Sequence, residues 1–365
     1  MFSWLRHAGS ILWKRQPIQL TFFVTRKCNA RCPFCFYLRS AAAGGAETAI
    51  ETDSEELSLE EISKLSRSLG PLLWLAFSGG EIFLRKDLVE ISRVFYRQNR
   101  PAIMLYPSNG LLPELIYERT AQILRDCSNS IVVVKLSLDG VNAAHDTLRR
   151  TPGGFDKVMQ TYQRLAGLLH EHPNFELGIN TVFCSDNQDQ MDEIIDFVQG
   201  LEHVRTHTIS LIRGHLAEPS YQQVDHAKYQ QAITRLAANL RSRAAPMYRF
   251  RGGRLKAAQD IVQRHLIHRT LLEQKRLAPC YAGKLNLILS ENGEVYPCEL
   301  LTQSLGNVRD YGYDLRKILR TEKAGTALRA IEEQRCYCTH ECNMITNILF
   351  NPRLYPALAR EYLRL

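Results

Sequence analysis

The sequence lacks any run of about 18 consecutive apolar residues, the shortest stretch that reads as a membrane-spanning helix. Its first residues also lack the unbroken apolar core and small-residue cleavage site of a secretory signal. Hydrophobic residues make up 45% of the 365 residues and charged residues 23%, which excludes a largely disordered, collagenous or coiled-coil chain. The sequence therefore predicts a folded cytoplasmic protein without a transmembrane segment, with two domains or one large domain and an appendage.

Cysteine is not scarce in this sequence, and its placement is uneven. There are ten cysteines, and three of them fall within eight residues. In a cytoplasmic chain, clustered cysteines favour metal binding or redox chemistry over disulfide bonds.

Positive charge is concentrated in one segment. Residues 228–276 contain twelve Lys or Arg residues against Asp260 and Glu273, so this segment carries +10 and the remainder of the chain −2, which gives the net +8. One interpretation is a surface that attracts an acidic partner, such as a phosphorylated substrate, an anionic lipid surface, RNA or an acidic redox protein. The other is a solvated helical face. Because no RNA-binding motif with interleaved aromatic residues accompanies the charge, nucleic acid is disfavoured.

Two further stretches have open alternatives. Residues 1–14 place Phe2, Leu5, Ala8, Leu12 and Trp13 on one helical face, with Arg6, His7, Ser10 and Lys14 on the opposite, polar face. This pattern predicts a helix that packs on its own domain or lies on a membrane surface. The small, acidic stretch 40–56 predicts either a lid or a tolerated insertion.

Between residues 18 and 213, short runs rich in Val, Ile and Leu alternate with helical patterns. The runs predict strands at 19–24, 72–77, 102–106, 131–138, 176–183 and 206–211. Helices are predicted at 59–69, 85–99, 113–127, 155–171 and 188–201. Strand–helix–strand repeats require a parallel sheet, and six units are fewer than a closed barrel needs, so we expect an α/β fold with an open, partial (β/α)6 barrel. Its chemistry should lie at the carboxyl ends of the strands.

The residue pattern of the sequence changes after Pro279. Residues 285–289, a turn containing Asn292-Gly293, and residues 294–296 predict a hairpin. We therefore expect a small, cysteine-rich α+β domain near the carboxyl terminus. The predicted organisation is an amphipathic N-terminal helix (1–17), a partial barrel (18–213), a helical basic connector (214–276), the small domain (277–350) and a C-terminal tail (351–365).

The most informative motif is Cys28-Asn-Ala-Arg-Cys32-Pro-Phe-Cys35, which directly follows the first predicted strand. Three thiolates at this spacing fit three corners of a cubane iron–sulfur cluster and leave the fourth iron without a protein ligand. An open coordination position indicates a site that binds and activates a molecule. Zinc with a distant fourth ligand is the alternative.

With these residues the sequence resembles the radical S-adenosylmethionine (SAM) superfamily. The resemblance includes Phe34 before the last cysteine and Ser78-Gly79-Gly80-Glu81 after the second strand, where Ile82 replaces the family's usual proline. It implies that Cys28, Cys32 and Cys35 are the catalytic metal ligands, and that Phe34, Ser78, Gly79, Gly80 and Glu81 bind the cofactor. The glycines and Glu81 would hold the amino group of SAM.

The resemblance continues along the barrel. Ser137-Leu138-Asp139-Gly140 ends the fourth strand, where relatives contact the ribose of SAM, and Arg149 matches an arginine that reaches its carboxylate. Asn180 matches a polar position on the fifth strand. The resemblance implies cofactor-binding roles for Ser137, Asp139, Arg149 and Asn180. Turns, salt bridges and strand-end caps are the alternative interpretations.

A second cysteine set resembles the auxiliary-cluster domain of SPASM and twitch radical SAM enzymes. Cys280 and Cys298 are separated by seventeen residues, and Cys336, Cys338 and Cys342 follow. The resemblance implies a twitch-like domain with one auxiliary iron–sulfur cluster, a [4Fe–4S] cluster for preference, ligated by Cys280, Cys298 and two of the last three cysteines. Zinc, with His340 as a further ligand, is the alternative.

Membership of this family implies a [4Fe–4S] cluster that reductively cleaves SAM to a 5′-deoxyadenosyl radical. The expected reaction is hydrogen abstraction from a peptide or small metabolite, followed by dehydrogenation or cross-linking, with a flavodoxin- or ferredoxin-type electron donor. Only 27 residues precede Cys28, so we expect no leader-binding domain. One alternative is a phosphorylated or lipid-linked substrate, with peripheral contact to a membrane surface. Two others are a non-catalytic iron–sulfur protein and an RNA-modifying radical enzyme.

Overall fold

The computed structural model describes residues 4–37, 55–333 and 336–365. The acidic stretch predicted as a lid or insertion therefore lies almost entirely outside the described residues. Glu56, at its end, binds Arg85 at 2.8 Å and accepts a hydrogen bond from the Thr25 hydroxyl at 2.6 Å.

One nine-stranded sheet organises the chain, and its strands lie in the order β6-β5-β4-β3-β2-β1-β7-β8-β9. The strands are β1 (Gln19–Thr25), β2 (Trp74–Gly79), β3 (Ile103–Ser108), β4 (Ile131–Ser137), β5 (Phe175–Phe183), β6 (Thr206–Leu211), β7 (Asn286–Leu289), β8 (Glu294–Tyr296) and β9 (Gly306–Asn307). All pairs from β1 to β6 are parallel and join consecutive strands, which confirms the open α/β barrel.

Helices connect the strands and cover the convex face of the sheet. The barrel helices are α1 (Leu59–Ser68), α2 (Leu88–Asn99), α3 (Pro113–Asp126), α4 (Ala143–Arg149), α5 (Gly154–Glu171) and α6 (Met191–Gln199). The later helices are α7 (His226–Arg241), α8 (Gly253–Glu273), α9 (Leu315–Leu319), α10 (Glu322–Glu333), α11 (Glu341–Leu349) and α12 (Tyr355–Arg364). The predicted capping box opens α1, because the Ser58 hydroxyl and the Glu61 carboxylate each accept the other's backbone N–H.

The cysteine-rich segment continues the sheet of the barrel. β7 pairs in parallel with β1, so that Gln19 lies beside Asn286, and the predicted hairpin of β7 and β8 follows. The boundary at residue 277 stays a prediction, but no break in the sheet marks it. The predicted C-terminal tail contains a helix, α12, which packs on α8.

The N-terminal segment forms a 3₁₀ helix over Trp4–Ile11. Its buried side differs from the predicted one. His7, assigned to the polar face, is only 5% exposed, whereas Leu12 and Trp13, which follow the helix, are 74% and 67% exposed. The apolar residues of this segment are therefore only partly used in packing.

The core has two parts. The larger part fills the space between the convex face of the sheet and the surrounding helices. A smaller part lies on the concave face, where Trp74, Ile103 and Ile131 contact Ile345 of α11. α11 thus closes the amino-terminal half of the barrel and leaves the carboxyl ends of the strands for the site.

Six of the twelve cations of the basic segment pair with carboxylates. Lys228, Arg235 and Arg241 pair with acidic residues of other elements, whereas Lys256, Arg269 and Lys275 pair with the segment's own Asp260 and Glu273. These ion pairs offset part of the positive charge of the segment. Within the described residues, no helix is long and apolar enough to cross a membrane.

Candidate active site

Three thiols lie on the loop that follows β1. The backbone N–H of Cys35 donates to the Cys32 carbonyl at 3.1 Å, a turn that folds the motif back on itself. Burial, with smaller contributions from Glu81, Cys32 and Cys35, raises the pKa of Cys28 to about 11. Cys32 and Cys35 thus lie near enough to Cys28 to affect its ionisation. Deprotonating all three needs a compensating cation.

The Gly79-Gly80 pair brings the end of β2 against this loop. The backbone N–H of Gly80 donates to the Thr25 carbonyl at 2.9 Å, and that of Glu81 donates to the Lys27 carbonyl at 2.8 Å. A Cβ atom at Gly80 would lie 2.2 Å from the Lys27 carbonyl oxygen, and one at Gly79 would lie 2.3 Å from that of Thr25. The glycines therefore permit a close approach of two backbones, next to Cys28.

The carboxylate of Glu81 is buried and bound to protein groups. It accepts hydrogen bonds from the backbone N–H of Asn109 at 2.7 Å and of Phe83 at 3.2 Å, and from the Ser108 hydroxyl at 3.0 Å. Burial raises the pKa of Glu81 to about 7, against these donors. The side chain thus ties the end of β2 to the end of β3. An amino group of SAM at this position would share the carboxylate with three protein donors.

Asn109 lies beside the Cys28 loop, although no motif in the sequence indicates it. Its side-chain amide donates to the Asn29 side chain at 2.7 Å and lies 3.9 Å from the Cys28 sulfur. It directly follows β3, so its position at a strand's carboxyl end was the available signal.

Arg149 is the cation beside the cysteines. Its guanidinium donates to Asp139 at 2.6 Å, and the other oxygen of Asp139 accepts the Val182 backbone N–H at 2.7 Å. Burial alone would lower the pKa of Arg149, but Cys32 and Asp139 raise it above its usual range. Asp139 is fully buried, so its role in the structure is to hold Arg149, and α4, which the sequence analysis missed, carries that arginine.

The remaining predicted cofactor residues divide into two groups. Ser78, Ser137 and Asn180 are half-buried near the ends of β2, β4 and β5; Ser137 pairs with Asn180, whose side-chain oxygen accepts the Ser210 hydroxyl at 3.0 Å. Phe34 is only 7% exposed and packs with Leu148, in an apolar cluster behind the loop. Its side chain supports the loop from behind.

In the second set, the pKa values of Cys280, Cys298 and Cys338 are each raised by another cysteine of the set. Burial, with a contribution from Cys280, raises the pKa of Cys298 to about 11. Burial also raises the pKa of Cys338, to which both Cys298 and Cys280 contribute. Cys336 in turn raises the pKa of Cys280, and its sulfur accepts a hydrogen bond from Arg276 at 3.1 Å. The amide of Asn343 and the backbone N–H of Leu300 point at the Cys298 sulfur, as donors do around sulfur ligands.

Cys342 lies in different surroundings. Burial raises its pKa to about 12, and the adjacent charges are Glu299, Arg213 and Glu341 instead of the other thiols. The imidazole of His340 binds Glu299 at 2.6 Å. Ligand atoms of Glu299, His340 and Cys342 all lie within 4.8 Å of one another, so these three residues could hold a metal ion.

A buried ionic network connects the two cysteine loops. The guanidinium of Arg213, just after β6, lies 3.5 Å from Glu299 and 3.6 Å from Glu341, and it stacks over the Phe36 ring at 5.1 Å. Phe36 adjoins Cys35, and Glu299 adjoins Cys298. No motif in the sequence indicates this network, because its members come from four distant segments.

A parallel half-barrel with three thiols gathered at its carboxyl end, beside a buried arginine, is the architecture of an enzyme that uses an iron–sulfur cluster. The Radical SAM superfamily model matches residues 22–198, which include these thiols. Nearly half of the chain thus matches the radical SAM superfamily, and the protein is an enzyme. The alternative of a non-catalytic electron carrier is thereby excluded.

Curated relatives extend the similarity beyond the barrel. The chain is 25% identical over 335 residues to an AdoMet-dependent heme synthase of Methanosarcina barkeri, which covers 88% of this chain and 87% of that protein. It is 26% identical over 312 residues to the antilisterial bacteriocin subtilosin biosynthesis protein AlbA of Bacillus subtilis, covering 82% of this chain and 59% of that protein.

Solved structures share the fold at low identity. Native anSMEcpe with bound AdoMet aligns with a TM-score of 0.61 and 16% identity over 96% of this chain and 100% of that chain. Streptococcus suis SuiB bound to S-adenosylmethionine aligns with a TM-score of 0.58 and 12% identity over 94% of this chain and 73% of that chain.

Proposed function

We propose that this enzyme reductively cleaves SAM and uses the resulting radical to oxidise a peptide or a small metabolite. The observation that supports this most directly is the cluster of Cys28, Cys32 and Cys35 beside Arg149. When bound, a [4Fe–4S] cluster on these thiolates supplies the electron that converts SAM into methionine and a 5′-deoxyadenosyl radical, which abstracts hydrogen from the substrate.

The residues around the thiols fit this cofactor. Three thiolates supply three ligands and leave one iron open for the amino and carboxylate groups of SAM. Arg149 uses one nitrogen for Asp139, so its other N–H groups remain for an anion such as the SAM carboxylate. Backbone groups of Gly79 and Gly80, together with Ser78, Ser137 and Asn180, line the ends of neighbouring strands, where the nucleoside would lie.

A second cluster would be held by Cys280, Cys298, Cys336 and Cys338. Cys336 raises the pKa of Cys280, Cys280 raises that of Cys298, and both Cys280 and Cys298 raise that of Cys338. Cys342 instead interacts with Glu299, Arg213 and Glu341. Four thiolates with N–H donors directed at the sulfur of Cys298 suit an auxiliary [4Fe–4S] cluster. Such a cluster would accept the electron left on a substrate radical, so that the net reaction is an oxidation such as dehydrogenation or cross-linking.

The relatives support both substrate classes. One is named a heme synthase and the other a bacteriocin biosynthesis protein, so a small molecule and a peptide are both represented. The electron would come from a flavodoxin- or ferredoxin-type donor. Ten free cysteines, most of them clustered, favour a reducing compartment and hence the cytoplasm.

SAM cleavage tests the proposal. Anaerobically reconstituted and reduced protein should form 5′-deoxyadenosine, and the Cys32→Ala variant should lose this activity. Cys127→Ala is the matched control, since Cys127 is a buried thiol of the outer core. If Cys32→Ala still formed 5′-deoxyadenosine, the assignment of the catalytic cluster would be wrong. Adding peptide, polar-metabolite or lipid fractions of a cell extract then identifies the substrate class by which fraction raises turnover.

Iron content tests the auxiliary ligand set. Cys336→Ser should lower the iron bound per chain and raise the oxygen sensitivity of the remainder, because it removes one of the four ligands. Cys342→Ser should retain the iron content of the unaltered protein. The opposite result for the two variants, measured by iron assay and Mössbauer spectroscopy, would place Cys342 in the cluster instead of Cys336.

A further inference from the structure

A large cavity lies at the end of the barrel opposite the catalytic loops. Its volume is about 790 Å³, within the range of about 300–1,000 Å³ typical of ligand sites. Trp74, Ile103 and Ile131 line it, and each is the first residue of its strand. The cysteine loop follows the last residue of β1, and a strand of six residues rises about 20 Å, so this cavity is separate from the catalytic site.

The wall of the cavity is mainly apolar, yet it contains two unsatisfied polar atoms. His7 and Trp74 both line the cavity and are 5% and 8% exposed. His7 Nε2 and Trp74 Nε1 have no hydrogen-bond partner. Burial lowers the pKa of His7 to about 4, so its ring is neutral near pH 7. An unpartnered buried polar atom is costly, and a ligand with an ester carbonyl or a hydroxyl would satisfy such atoms.

Two arginines at the cavity have no acidic partner. Arg251 and Arg254 both line the cavity and are exposed. Within the described part of the chain neither forms a salt bridge, although Arg254 stacks over the Tyr362 ring at 4.6 Å. They differ in this from six other cations of the basic segment, which pair with carboxylates. An anionic group at this rim would complement them.

The two elements that close the cavity also expose large apolar side chains. The N-terminal 3₁₀ helix contributes Ile11 to the cavity, and Leu12 and Trp13 follow it at 74% and 67% exposure. α12 contributes Leu358 to the cavity and exposes Leu363 at 78%. Exposed apolar residues beside a basic rim are the features of a surface that rests on an anionic membrane.

We propose that this cavity binds an acyl chain of an anionic membrane phospholipid, whose phosphate pairs with Arg251 and Arg254. The apolar wall receives the chain, and Trp74 Nε1 and His7 Nε2 bind the ester and glycerol groups. The site thereby holds the enzyme at a membrane surface through the face opposite its catalytic loops. The bound lipid is a docking ligand and takes no part in the radical chemistry.

Tryptophan fluorescence gives a direct test, because the chain contains only Trp4, Trp13 and Trp74. In the reconstituted Trp4→Phe/Trp13→Phe variant, Trp74 is the sole tryptophan. Vesicles of phosphatidylglycerol with brominated acyl chains should quench its emission, while vesicles of brominated phosphatidylcholine should quench it far less.

Two further variants separate the cavity from the rim. In that background, Ala359→Phe places a ring at the exposed wall of the cavity and should abolish quenching of Trp74 while uncoupled SAM cleavage persists. Arg251→Glu/Arg254→Glu should remove the preference for phosphatidylglycerol.

Other outcomes overturn the proposal. Quenching of Trp13 alone, measured in a Trp4→Phe/Trp74→Phe variant, would mean surface adsorption without entry of an acyl chain. Absence of quenching in every variant would mean that vesicles are not the partner. Unchanged quenching in Ala359→Phe would place the acyl chain outside the cavity.

Discussion

At the scale of single residues, buried charge decides several properties of this protein. Arg149 is held by Asp139 beside the three thiols of the first cysteine loop, and Arg213 is held by Glu299 and Glu341 near Cys342. Both arginines lie at the ends of barrel elements. Neither role can be read from sequence spacing alone, since an arginine's partner is fixed only when distant strands come together.

Glu176 is a buried carboxyl group distant from both cysteine groups, and it predicts a pH effect on stability. One of its oxygens accepts the backbone N–H groups of Arg249 and Phe250 at 2.6 and 3.2 Å, while the other has no partner. Burial raises its pKa to about 7. Between about pH 4.5 and pH 7, Glu176 is therefore protonated in the folded state but ionised in the unfolded state. The free energy of unfolding consequently falls as pH rises through that window.

Glu176→Gln should remove this loss, because an amide keeps the accepting oxygen without a titrating charge. The free energy of unfolding of the variant, relative to the unaltered protein, should rise between pH 5 and pH 8, by at most about 1.4 kcal/mol per pH unit. Urea denaturation at several pH values measures this difference. A constant difference across the range would contradict a raised pKa at Glu176.

At the scale of elements, the strand-to-loop junctions position the chemistry. The end of β2 packs on the loop after β1 so closely that only a residue without a Cβ fits at position 80. This contact fixes Lys27 and therefore the adjacent Cys28. Because of this packing, the Gly79-Gly80-Glu81 motif helps to hold the Cys28 loop in place.

Gly80→Ala should consequently disturb the cysteine loop. A Cβ at 2.2 Å from the Lys27 carbonyl forces two backbones apart, which should cost about 1–3 kcal/mol of stability and reduce both iron content and SAM cleavage. Gly167→Ala is the matched control, since nothing lies within 4 Å of a Cβ at this exposed position in α5. It should retain activity and gain up to about 1 kcal/mol from helix propensity. Equal iron content in the two variants would show that the loop tolerates the separation.

The barrel strands were largely predictable from sequence, and so were most helices between them. Local apolar runs bounded by caps and prolines place β1 to β6 within two residues of their observed limits at nearly every end. The short helix α4 was not predicted, because seven residues carry too little periodicity. The pairing of β7 with β1 was not predicted, because a register between distant segments leaves no local pattern. The burial of His7 and the separate surroundings of Cys342 were not predicted for the same reason.

At the scale of the whole molecule, the two cysteine groups are parts of one sheet and one ionic network. Arg213 contacts Phe36 on the first loop and Glu299 on the second. A displacement of either loop would therefore alter the contacts that Arg213 makes with the other. The opposite end of the barrel carries the lipid-binding cavity proposed above. The first cysteine loop and the proposed docking face are thus separated by the length of the strands.

The parallel pairing of β1 with β7 also has a consequence for biosynthesis. During translation β1 emerges early and can pair with β2, but its other edge has no partner until residues 286–289 leave the ribosome. Closure of such a long loop is slow, and an open apolar edge is prone to association with other chains. Until β7 pairs with β1, the Cys28 loop at the end of β1 is exposed along that open edge. The order of synthesis therefore provides an interval in which the nascent barrel needs protection and in which its first cluster can be delivered.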